Sequence, residues 1–157
     1  MQQAENGRSS YRQRIILITV ALMTVFILVQ SLLPKNVSAK ESGWLIEKVI
    51  NPILRVIGCG PVSHGFIRKA AHVAEFAVLA FLLSLYFERR ILLGAGIAFL
   101  IAFLDESVQL LSGRGASITD VWIDLIGIAA GAAFGALVWV FKKRARVRQE
   151  ADNGRNG

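Results

Sequence analysis

The chain has a single cysteine, Cys59, among its 157 residues, so no internal disulfide can form. A lone thiol of this kind is most often a small apolar filler. Charge is scarce too: Asp, Glu, Lys and Arg make up 18% of the residues, against 54% hydrophobic. That balance excludes intrinsic disorder and is too apolar for an ordinary soluble domain. There is no Gly-rich phosphate loop, no dinucleotide fingerprint and no Ser–His–Asp order with a nucleophile elbow, which removes the function classes carrying those signatures. Internal repeats and low-complexity tracts are also lacking. The formal net charge of +7 would suit nucleic acid, but the basic residues sit beside apolar runs. Membrane topology accounts for them, and no nucleic-acid partner is expected.

What the sequence does have is long apolar segments, at about 15–33, 66–87, 91–111 and 121–141. A membrane span needs about 20 residues at ~1.5 Å each. The expectation is an all-α polytopic membrane helix bundle with four transmembrane helices. A tail at 1–14, a membrane domain at 15–141 and a basic tail at 142–157 divide the chain, with 150–157 read as disordered. The first segment reads as an uncleaved span. Val37-Ser38-Ala39 offers a signal-peptide cleavage site, but the apolar stretch is long for a signal core and Pro34-Lys35 ends it as a membrane helix ends.

Orientation follows the basic residues. Arg8, Arg12 and Arg14, the turn at Arg89-Arg90, and Lys142, Lys143, Arg144, Arg146, Arg148 and Arg155 place eleven of 18 on the side of the termini. Both termini are therefore expected in the cytoplasm. The connection at 34–63 holds an amphipathic stretch, with Trp44, Leu45, Ile46, Val49 and Ile50 against Glu47, Lys48 and Asn51. Pro52 suits a new helix start, and Gly58, Gly60 and Pro61 mark a turn back into the membrane. One or two short helices in the outer interface are expected after the first span. His64 reads as an interfacial loop residue.

Charged side chains cost roughly 2.5–3.5 kcal/mol each at the bilayer centre on insertion scales, so those inside spans usually mark a site. Arg68, His72, Glu75 and Leu79 follow i, i+4, i+7, i+11 on one helix face, with Lys69 at its edge. Asp105 and Gln109 lie one turn apart, with Glu106 beside them. Only 14 uncharged residues precede Asp105 in its span, so both acids lie inside the membrane profile, by helix rise about 8–10 Å below its edge. Asp120, Asp124, Gly127, Gly131 and Gly135 form a stripe of the last helix, and the glycines make a packing seam. All these groups fall at alternate ends of successive spans, hence on one side of the membrane. Arg68, Lys69 and Arg114 face five acids, Glu75, Asp105, Glu106, Asp120 and Asp124. Protonation, a charged His72, or a bound cation must make up the difference. One histidine without a cysteine thiolate disfavours zinc. A hard divalent cation held by oxygens is the cofactor the pattern allows, with the metal otherwise unspecified. A purely structural polar network is the competing reading.

Arg68-Lys69-x-x-His72-x-x-Glu75, Asp105-Glu106-x-x-Gln109, and Arg114 followed by Asp120-x-x-x-Asp124-x-x-Gly127-x-x-x-Gly131 resemble, in order and spacing, the VanZ-like family of bacterial membrane proteins. The resemblance covers residues 66–135. Val108 stands where a His is frequent in that family, and Phe76 where a Tyr is frequent. The resemblance implies a small multi-span protein of the bacterial cytoplasmic membrane. Its founding member is associated with resistance to the glycopeptide antibiotic teicoplanin. The expected partners are the lipid bilayer and a lipid-linked, cell-wall or glycopeptide ligand. The expected function is binding or modifying a cell-envelope component. The alternative is an envelope-facing hydrolase or transferase, in which Glu75, Asp105, Glu106 and Asp124 supply acid–base groups. Arg68, Lys69, His72, Gln109, Arg114 and Asp120 would then hold the ligand.

Overall fold

Backbone N–H and C=O groups in hydrocarbon must bond within their own segment or a closed barrel. This chain takes the helical solution. The computed structural model describes residues 2–32, 46–56, 58, 60, 61, 63–112 and 118–155. α1 is Gln2–Leu32; a π-helical turn, Ile46–Ile50, runs into the short α2, Asn51–Val56; α3 is His64–Phe87, α4 is Ile91–Leu111 and α5 is Ile118–Arg155. No strand occurs among the described residues. The short helices occupy the stretch expected at the interface; Trp44 lies outside the described residues.

Among the described residues, four stretches are long and apolar enough to cross a membrane: Ser10–Leu32, Gly65–Phe87, Ile91–Leu111 and Thr119–Arg155. Their exposed faces are apolar. Leu92 and Leu111 are almost fully exposed, and Leu22, Phe26, Leu100, Phe103, Trp122, Ile126 and Phe134 are more than half exposed. A belt of this kind on a water-soluble monomer would drive aggregation; around a bundle it is the lipid face. Even its hydroxyls are satisfied internally, as Thr19 and Ser107 donate to the carbonyls of Ile15 and Phe103 one turn back. The chain is a multi-pass membrane protein.

One stretch differs from the sequence expectation: α5 continues through the basic tail to Arg155, where a disordered end at 150–157 was expected. α1 runs from Gln2, ahead of the span expected at 15–33. At ~1.5 Å per residue these helices run about 46 and 57 Å, well past a ~30 Å hydrocarbon core. A helix already nucleated in the membrane extends cheaply, and Lys, Arg, Ala, Gln and Glu favour extension.

α3 packs against α1, α4 and α5, its largest interface being with α5. There a Cβ added at Gly127 would strike the Val73 carbonyl, and one at Gly131 the Ala77 carbonyl. The expected seam thus lets two backbones touch. The small core comprises Ile16, Val20 and Ile27 of α1, a stripe of α3 centred on Phe76, Leu79 and Leu83, Ala98 and Ala102 of α4, and Ile128 of α5. Ser63 caps α3, its hydroxyl accepting from the Phe66 N–H at 3.3 Å. At the other end of α3, Glu88 closes the helix at φ +46°, its N–H donating to Ser84 O at 2.9 Å.

Candidate functional site

The last apolar turns of α1 and α4 and the first turns of α3 and α5 meet at one end of the bundle. On α4 the buried face reads Gly94, Ala98, Ala102, Asp105, Glu106 and Gln109. Small residues on this stripe give way to polar ones where it reaches that end. Asp105 is fully buried. Its Oδ1 accepts a hydrogen bond from the Ser31 hydroxyl of α1, and its Oδ2 accepts from Gln109 Nε2 at 2.9 Å. Gln109 Nε2 also approaches Ser31 Oγ at 3.4 Å, and the Ser112 hydroxyl donates to Ser31 O at 3.4 Å.

Across from this group, Asp124 of α5 is 1% exposed. Its Oδ1 lies 3.7 Å from His72 Nδ1 of α3 and makes no hydrogen bond among the described residues. His72 stacks near Phe76, ring centroids 6.5 Å apart. Ligand-type atoms of His72, Asp105 and Asp124 all fall within 4.8 Å of one another, so side chains from α3, α4 and α5 converge on one point. Glu106 is also buried, and Glu75 is half-buried one turn below His72.

Farther out, Asp120 lies 3.9 Å from Arg68 and 4.0 Å from Lys69. These side chains are partly exposed and form a rim, where an ion pair contributes about 0–1 kcal/mol to stability. The partly exposed charges thus lie beside a buried, acceptor-rich group.

The VanZ/LLP1 family model matches residues 15–142. The chain belongs to the VanZ/LLP1 family. The match reaches into each of the four membrane helices, so the resemblance seen in the motifs extends over most of the chain. No curated protein and no solved structure matches the chain.

Of the residues singled out in the sequence, His72, Asp105 and Asp124 come together, Gln109 joins them through Asp105, and Arg68, Lys69 and Asp120 form the rim. Glu75 stands near the middle of α3, one turn past His72, and Glu106 sits beside Asp105 on the buried face of α4. Arg114 lies outside the described residues. Ser31 was not foreseen. Its only sequence signal is a polar residue near the end of an apolar run, and it brings α1 into the cluster.

Proposed function

We propose that this VanZ/LLP1 protein uses the polar end of its bundle to bind the headgroup of a cell-envelope component, from the outer face of a bacterial cytoplasmic membrane. The single observation that carries the reading is the convergence of Ser31, His72, Asp105, Gln109 and Asp124 from four spans beneath Arg68 and Lys69. Polar groups at this depth are costly in a bilayer and persist where they meet a ligand or a proton path. The rim cations suit a phosphate, such as that of a lipid-linked wall precursor. The acceptors below suit hydroxyl, amide or ammonium groups, as in sugars, peptides or a glycopeptide antibiotic. Resistance to such an antibiotic is one phenotype the site would support.

A second reading is acid–base catalysis on the same ligand, favoured by the buried Asp124 facing His72 as a carboxylate faces a general base. Incubating the purified protein with a lipid-linked precursor separates the two, because only the enzyme yields a new product.

Replacing Glu106 by Gln removes charge and proton exchange while keeping size. Envelope phenotype and precursor binding are expected to fall at least tenfold, with the melting temperature in detergent nearly unchanged. Deleting one partner of a buried ionic network instead destabilises by about 3–5 kcal/mol. Parallel loss of stability and binding would therefore refute the site.

The proposed orientation has its own test. In a Cys59→Ser background, Ser112→Cys is expected to react with an impermeant thiol reagent in intact cells. Labelling only after lysis would place the polar end in the cytoplasm and overturn the envelope assignment.

A further inference from the structure

We infer that His72, Asp105 and Asp124 form a binding site for a hard divalent metal ion of the manganese class. The inference goes beyond the envelope-ligand reading and does not depend on it. It begins from burial. Asp105 and Asp124 are both nearly inaccessible, come from different helices, and turn carboxylate oxygens toward one point with an imidazole nitrogen, all within 4.8 Å. Two carboxylates are acceptors only, and neither can hydrogen-bond the other without a proton. Removing charge from water at this depth is expensive unless something positive shares the space.

Asp124 supplies the observation that points to a ligand. Its side chain is 2% exposed, and Oδ1 has no hydrogen-bond partner among the described residues. Its close neighbour, His72 Nδ1 at 3.7 Å, is beyond hydrogen-bond range. That separation is short of contact but close to the spacing of two ligands on one ion. Bonds of about 2.1 Å put neighbouring ligand atoms about 3.0–3.4 Å apart, so a shift of a few tenths of an ångström seats the pair.

Asp105 has the surroundings of a held ligand rather than a free acid. Ser31 donates to one oxygen and Gln109 to the other, which fixes the plane of the carboxylate and leaves a lone pair on each oxygen for an ion. Hydrogen-bonded supports of this kind orient metal-binding carboxylates, and losing one typically costs 10–100-fold in metal affinity. Two carboxylates and one imidazole favour an oxygen-seeking ion that tolerates nitrogen, which fits manganese better than magnesium or a thiolate-bound metal. Three protein ligands leave coordination positions open. His72 keeps a fifth of its side chain exposed, whereas the side chain of Asp124 is 2% exposed.

The test uses the full chain, untagged or with a non-histidine tag, stripped with chelator and reconstituted in nanodiscs. Titration with Mn²⁺, followed by the loss of free-ion EPR signal, is expected to give one bound ion per chain. Asp124→Asn and Asp105→Asn should each weaken binding at least tenfold, and Ser31→Ala by about tenfold through the support of Asp105. Mn²⁺ should raise the melting temperature of the wild type but not of Asp124→Asn. Should Asp124→Asn fail to purify as a monodisperse species, His72→Gln carries the same comparison. Displacement of Mn²⁺ by Zn²⁺, but not by a tenfold excess of Mg²⁺, agrees with the mixed nitrogen and oxygen donors. No saturable binding in the wild type, or equal binding in all variants, would overturn the proposal and leave a shared proton as the balance of the two acids.

Discussion

Gly131→Leu is expected to cost the protein its folded bundle. A Cβ at this position would collide with the carbonyl of Ala77 on α3, at the largest helix–helix interface in the molecule. Overpacking normally costs about 1–3 kcal/mol because side chains can move aside. Here the obstacle is backbone, and relief requires the helices to separate. In lipid, close packing itself holds helices together, so separation removes the main attraction. For a chain of this length each kcal/mol shifts the melting temperature by roughly 2–4 °C. A fall of at least 10 °C, or loss of the monodisperse species in detergent, is the expected result. Gly96→Leu supplies the control, since an added Cβ there meets nothing within 4 Å and the position is exposed. That variant should melt within a few degrees of wild type. Equal melting of the two would mean that the glycine seam plays no part in packing.

The seam was legible in the sequence because glycines at i, i+4 and i+8 can do little else on an apolar helix. The four spans were legible for a similar reason: apolar length is a direct consequence of bilayer thickness. Asp105 and Gln109 could be placed on one face by helical spacing alone. Ser31 could not. A serine in an apolar run usually bonds its own backbone, as Ser84 does to Ala80 O at 2.7 Å, and no local pattern distinguishes the one that instead reaches an acid 74 residues away. Contacts across such separations depend on how α1 packs against α4, and lipid-facing and helix-facing residues of α1 are equally apolar. The helical tail was not legible, because polar, charged composition by itself suggests disorder, whereas here the membrane segment has already met the cost of nucleation. The pairing of Asp124 with His72 is intermediate. Each was singled out, but their mutual approach needed the close contact that Gly127 permits against Val73.

Asp105 separates a polar site from a polar scaffold most sharply, because two substitutions there change different things. Asp105→Leu removes the acceptor for both Ser31 and Gln109 and leaves two buried donors facing an apolar side chain. Each stranded donor costs about 1–3 kcal/mol, and relief of the buried charge offsets only part of it. A melting temperature lower by roughly 5–12 °C is expected. Asp105→Asn behaves differently. Its carbonyl oxygen still accepts from Ser31, and rotating the Gln109 amide lets its oxygen accept from the new NH₂ group, so both hydrogen bonds survive while the charge is lost. Stability should then stay within about 1 kcal/mol of wild type, whereas Mn²⁺ binding and the envelope phenotype should fall together. A double-mutant cycle with Ser31→Ala should give a coupling of about 0.5–3 kcal/mol for wild-type Asp105, mostly retained with Asn and absent with Leu. If Asp105→Asn melts as early as Asp105→Leu, the ionised acid is there to hold the helices together. If Asp105→Asn is stable and fully functional, the acid is neither a ligand for metal nor part of the site. Only stability without function places Asp105 among residues kept for what they bind.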